Sequence, residues 1–188
     1  MYLTSQVYSF LRSLILPLDQ IDKLMATKGR IIDLGCGEGV LAKYLAKSQK
    51  RFVIGVDINK RRLGRSHLTN LKFVQSDIRK FRVEGSIGVI LSDVLHHLSY
   101  SDQDKLIKKI YQELKKNGRL LIKEIDKSEF LRSKISRFFD FLLYPKDEIC
   151  YRRSDEFRKF LQKVGFNVKL IRASRLFPGA TTLYVCKK

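Results

Sequence analysis

Four short apolar runs, each reaching an aspartate, set the pattern of the first half of the chain. They are RIID, RFVIGVD, LKFVQSD and IGVILSD, ending at Asp33, Asp57, Asp77 and Asp93. Apolar runs of this length, bounded by turn residues, are expected of strands buried on both faces. Between them lie stretches with apolar residues at helical spacing, and that alternation predicts an α/β domain. The pattern predicts strands at 30–35, 52–57, 71–76, 87–92 and 118–125, with helices at 38–48, 60–67 and 101–116. Asn117-Gly118 stops the last of these helices. Residues 2–28 carry Val7, Leu11, Leu14, Ile15 and Leu18 on one helical face, with a break at Pro17. Residues 127–150 form a helical insertion in this reading. A helix at 154–164 then ends at Gly165, and strands at 166–173 and 180–187 close the chain. Pro178-Gly179 between those strands predicts a hairpin.

The first strand breaks into IIDLGCGEG at 31–39, a glycine-rich turn leading into an amphipathic helix. Glycine is needed where the backbone turns tightly and lets a ligand approach with no Cβ in the way. Open α/β sheets bind nucleotide-like ligands at such a turn. A dinucleotide fingerprint would place glycine at position 40, where this chain has Val40. Asp33 and Glu38 also flank the turn, and carboxylates are poor neighbours for a pyrophosphate. S-adenosylmethionine has no phosphate and carries a sulfonium and an ammonium, so it tolerates acids there. Asp57 follows Gly35 at roughly the 20-residue spacing expected of a ribose-binding acid. Aspartate at a strand end often serves only as a helix cap. Four of them in register with a glycine turn would bring their carboxylates to one sheet edge.

With these residues in view, the chain resembles the class I S-adenosylmethionine-dependent methyltransferases, over about residues 30–125. DLGCGEG is similar to the family's first motif and GVDIN to its second. SDI at 76–78 resembles the adenine-contacting segment, SDVLHHLS at 92–99 the fourth-strand motif, and KKNGRLLIKEI the entry to the fifth strand. The resemblance implies a doubly wound, Rossmann-like, seven-stranded and mostly parallel sheet whose antiparallel last strand lies beside the fifth. It also implies roles. Asp33 and the backbone of Gly35, Cys36 and Gly37 would hold the methionine end of S-adenosylmethionine. Asp57 would take the ribose hydroxyls, with Ile58 packing on the adenine. Asp77 would accept from the adenine amino group and Ile78 would offer its N–H to the ring. Ser92 and Asp93 would line the pocket near the sulfonium.

At 188 residues the chain is expected to be a single domain: an N-terminal helical cap (1–28), a cofactor-binding core (29–125), a helical insertion or lid (126–152) and a C-terminal helix with a strand hairpin (153–188). No apolar run approaches the roughly 20 residues of a spanning helix, and the N-terminus lacks the features of a signal peptide. Cys36, Cys150 and Cys186 are scattered, which fits a reduced, cytoplasmic setting and no metal site. His96 and His97 follow the fourth strand and are the candidate catalytic bases.

The formal net charge of +19 is unevenly spread. From Lys60 to Arg82 there are eight basic residues against one acid, Asp77. Such a surface suits a solvated exterior, an anionic membrane or RNA. The chain contains neither the NPPY-like sequence of amino-directed methylases nor a Pro-Cys pair. The expected acceptor is therefore a small or lipid-like molecule, with RNA methylation or a non-catalytic role as alternatives. Phe10, Leu14, Phe138, Phe139 and Leu142 are expected to wall an apolar pocket, with Arg12, Arg132 and Arg137 beside an acidic group or bilayer. Tyr151, Arg152 and Arg153 are further candidates to face the acceptor.

Overall fold

A computed structural model describes residues 16–126, 149–172 and 181–188. The apolar runs become strands β1 (Gly29–Leu34), β2 (Arg51–Asp57), β3 (Leu71–Gln75), β4 (Gly88–Ser92) and β5 (Arg119–Ile125). Two more, β6 (Asn167–Arg172) and β7 (Thr181–Lys187), complete one sheet in the order β3-β2-β1-β4-β5-β7-β6. Neighbours among β1 to β5 run parallel, whereas β7 pairs antiparallel with both β5 and β6. This is the mostly parallel seven-stranded sheet that the resemblance implies, with the antiparallel last strand inserted beside the fifth.

Both faces of the sheet are buried, which is why its strands are apolar runs and not alternating ones. On one face α1 (Leu18–Leu24) and α2 (Val40–Leu45) bring Ile21, Leu41 and Leu45 against Ile31, Val53 and Ile90. On the other, α3 (Tyr100–Glu113) and α4 (Ser154–Val164) bring Leu106, Ile110, Phe157 and Leu161 against Ile32, Leu91 and Ile122. Ser99 caps α3, its Oγ accepting the Asp102 N–H at 3.2 Å.

Two local readings need correction. The helix expected at 60–67 does not form; residues 63–68 have no regular structure. Asp57 Oδ1 accepts the Asn59 N–H and Asn59 Oδ1 accepts the Arg61 N–H, so successive side-chain turns divert the chain. Gly64 then passes so close to the Glu38 carbonyl that a Cβ would overlap it. The helix expected from residue 38 begins at Val40, because Gly39 has φ +75° and still belongs to the turn. Most of the helix expected at 2–28, most of the insertion at 127–150 and the Pro178-Gly179 turn lie outside the described residues. So do Phe10, Arg12, Leu14, Arg132, Arg137, Phe138, Phe139 and Leu142. Among the described residues no helix is long and apolar enough to cross a membrane.

Candidate active site

The register aligns the C-terminal ends of the central strands, pairing Leu34 with both Val56 and Leu91, and Ser92 with Lys123. Beyond those ends opens a cavity of about 340 Å³. That volume falls in the range of small-molecule sites, about 300–1,000 Å³. Its first wall is the glycine turn. Gly35 and Cys36 N–H groups both donate to the Val56 carbonyl, at 2.7 and 3.0 Å. Gly35, Gly37 and Gly39 all have positive φ. A Cβ on Gly35 would fall 2.8 Å from Val94 Cβ and closer still to its Cγ2. Only glycine permits this approach of the first turn to the loop after β4.

The second wall comes from β2. Asp57 Oδ2 accepts the Gly37 N–H at 2.9 Å and its Oδ1 accepts the Asn59 N–H at 2.8 Å. One carboxylate thus ties the glycine turn to the loop that follows. Next to it, Ile58 is 64% exposed on the rim of the cavity. The third wall follows β3. The Arg79 guanidinium grips the Asp77 carboxylate through Nε at 3.1 and 3.0 Å and a terminal nitrogen at 2.6 Å, and reaches Asp102 at 3.1 Å. These hydrogen bonds hold the Asp77 carboxyl below the usual carboxylate range. Ile78 is buried behind it.

The fourth wall is the loop after β4, which contributes Asp93, Val94, His97 and Leu98 to the cavity. Two adjacent residues of β5 anchor it from opposite faces of the strand. Lys123, almost wholly buried, places Nζ 2.7 Å from each Asp93 carboxylate oxygen. Glu124 Oε1 accepts the Val94 and Leu95 N–H groups at 3.0 and 2.8 Å, and its Oε2 lies 2.6 Å from His96 Nδ1. Lys123 and Glu124 are the functional residues that sequence reasoning missed. The available signal was two opposite charges inside an apolar strand, since buried charges are kept only when paired.

The structure brings Gly35, Cys36, Gly37, Asp57, Ile58, Asp77, Ile78, Asp93 and His97 to one cavity. Asp33 and Ser92 are buried in the strands at its base and do not line it. His96, expected at the mouth, is buried and turned to Glu124; it is absent from the lining. The Cys36 thiol is pushed far above its ordinary range by burial and by Asp33 and Asp57, so it stays protonated. Tyr151, Arg152 and Arg153 do not line the cavity either. Arg152 bonds Gln103 at 2.7 Å and lies over the rings of Tyr100, Phe157 and Phe160, which binds the returning chain to α3. Among the described residues no group of three or more His, Cys, Asp or Glu could hold a metal ion.

This sheet order, with its antiparallel seventh strand and a glycine turn at the mouth of β1, defines the class I methyltransferase fold. The chain belongs to the methyltransferase-domain family, whose model matches residues 4–170. It is thus an enzyme of the S-adenosylmethionine-dependent methyltransferase class, and S-adenosylmethionine is the cofactor of that class. A carboxy-S-adenosyl-L-methionine synthase from Nautilia profundicola is 25% identical over 164 residues, covering 80% of this chain and 70% of that protein. A ubiquinone/menaquinone biosynthesis C-methyltransferase from Vibrio vulnificus is 29% identical over 147 residues, covering 72% of this chain. The alignment spans only 56% of that relative's length. A crystal structure of a methyltransferase from Archaeoglobus fulgidus superposes with a TM-score of 0.74 at 16% identity, over 98% of this chain and 95% of that one. At that identity the likeness is one of fold.

Proposed function

We propose that the cavity binds S-adenosylmethionine along the strand ends and presents its methyl group to a small-molecule or lipid-like acceptor. In this reading the base lies toward β2 and β3 and the methionine end toward β1 and β4. The observation that carries it is Ile58, a large apolar side chain left exposed on the cavity rim beside a carboxylate with both oxygens engaged by backbone. An adenosine would cover the first while its ribose hydroxyls met the second. Gly35 and Gly37 line the cavity, and their backbone would meet the methionine end. Asp33, Cys36 and Ser92 would support that end from the base of the cavity. Asp77 and Ile78 would meet the base, and Asp93 the sulfonium. The donor set therefore fits the cofactor. When bound, it supplies an already activated methyl group. The work left to the chain is to orient the partners and exclude water, which lowers a barrier substantially without any covalent intermediate on the protein. His97 is the titratable side chain best placed to take a proton from an acceptor, since His96 faces Glu124.

Isothermal titration with S-adenosylhomocysteine tests the reading, with binding expected and its absence at tens of micromolar protein counting against it. Asp57→Ala removes both the ribose partner and the tie to Gly37. It is expected to weaken that binding by about 1–3 kcal/mol. Unchanged affinity would remove Asp57 from the site.

A second reading follows from the relatives named carboxy-S-adenosyl-L-methionine synthases. Arg62, beside the glycine turn in the cavity lining, is a cation that suits a carboxylate-bearing ligand. Mass spectrometry of the nucleoside that copurifies with the protein separates the two, because the carboxylated form is heavier than S-adenosylmethionine by one carbon dioxide. Methyl transfer to RNA predicts retention that falls steeply with salt; no gel-shift at low salt would dismiss it.

A further inference from the structure

The ion pair between Asp93 and Lys123 is built asymmetrically. Its carboxylate is 19% exposed and lines the cavity, whereas its ammonium is 4% exposed and lies behind it on β5. Asp93 is held in this pose three ways. Lys123 Nζ contacts both carboxylate oxygens at 2.7 Å, the Asp93 N–H donates to the Lys123 carbonyl at 2.9 Å, and Ser92 Oγ donates to Oδ2 at 3.4 Å. The backbone accepts a φ of +53° at this non-glycine residue. Such strain persists only where the surroundings fix it, and it gathers at functional sites.

A pair of opposite charges at unequal depth acts on the cavity as a dipole with its negative end inward. Coulomb energy falls with distance, so a charge in the cavity feels the nearer carboxylate more than the ammonium behind it. Of the other acids of the lining, Glu38 belongs to the glycine turn, and Asp57 and Asp77 lie toward the proposed base. Arg79 grips Asp77, and backbone N–H groups occupy Asp57. Across the strand order β3-β2-β1-β4, Asp93 stands at the opposite end of the cavity from Asp77.

We infer that Asp93, fixed by buried Lys123, makes the β4 end of the cavity select a cation at the sulfur position, so that the charged donor is held more tightly than the neutral sulfide product. The inference rests on the proposed cofactor reading and adds to it the residue that senses the charge. Methyl transfer takes the positive charge off sulfur. The same residue therefore favours exchange of spent product for fresh donor.

Three probes test it by isothermal titration: S-adenosylmethionine, S-adenosylhomocysteine, and sinefungin, which carries an ammonium group near the position of the sulfonium. The native protein is expected to bind the two cations about tenfold more tightly than S-adenosylhomocysteine. Asp93→Asn is expected to erase that preference while S-adenosylhomocysteine affinity stays within about twofold. Because Asp93→Asn leaves Lys123 buried without its counter-charge, the double variant D93N/K123M is the companion, with folding checked by thermal melting. It too should bind all three probes alike. Equal or tighter binding of S-adenosylhomocysteine by the native protein would overturn the inference, whatever the variants do. So would a retained preference in a folded variant. If none of the three probes binds, the cofactor reading itself falls, and the inference with it.

Discussion

Gly35→Ala is expected to abolish measurable S-adenosylhomocysteine binding and to lower the melting temperature. Two costs add at this one atom. The residue has φ +77°, and a side chain in that conformation costs about 1–2 kcal/mol. The new Cβ would also overlap Val94, and forcing a methyl into a packed site costs about 1–3 kcal/mol. Relief can come only by pushing the loop after β4 away from the glycine turn, and both are walls of the cavity. The damage therefore reaches binding as well as stability. Gly85→Ala is the control. It has φ +76°, yet its Cβ would meet only the end of Arg30 at 3.8 Å, and it lies outside the cavity. That variant should lose some stability and keep its affinity. If Gly35→Ala binds as the native protein does, the close approach to Val94 is not what shapes the site.

Glu124→Ala carries the second large effect. Its carboxylate serves two backbone N–H groups and His96 at once, all at the start of the loop after β4. A buried donor left without its acceptor costs about 1–3 kcal/mol, and Glu124 serves more than one. A loss of about 3–5 kcal/mol is a large share of the roughly 5–15 kcal/mol that holds a domain folded. Urea denaturation should show a markedly lower midpoint. Glu124→Gln keeps one oxygen acceptor and should lose clearly less. Equal midpoints for Glu124→Ala and the native protein would show that the loop is held by other contacts.

The sheet was legible because strands buried on both faces must be apolar throughout, and RFVIGVD or GVILS has no other comfortable place. The glycine turn was legible because its residues act over a few positions. Asp57 reaches Gly37 across a fixed spacing, and glycine at positive φ leaves a mark in the sequence. The strand order was not legible in the periodicity and came with the family resemblance. What escaped detection shares a cause: contacts whose partners are distant in sequence. Lys123 and Glu124 act on residues about thirty positions earlier, so nothing near them reveals why two charges sit in an apolar strand. Gly64, inside the span expected to be helical, stands against the Glu38 carbonyl, a contact with a residue far back in the sequence. The role given to the two histidines divided for the same reason, since the Glu124 carboxylate that draws His96 inward comes from another strand.

The place of β7 has a consequence for how the chain is made. It is the last strand in sequence, yet it lies between β5 and β6 and pairs Arg119 with Lys187. A growing chain on the ribosome therefore completes β1 to β5 well before it owns the strand that covers the far edge of β5. Until residues 181–187 emerge, that edge presents unpaired N–H and C=O groups, the usual template for aberrant association. Nor can β6 shield it, because β6 joins the sheet only through β7. The strand that carries Lys123 and Glu124 is thus the last of the central strands to be secured. A nascent chain stalled before residue 181 is the form that most needs a chaperone.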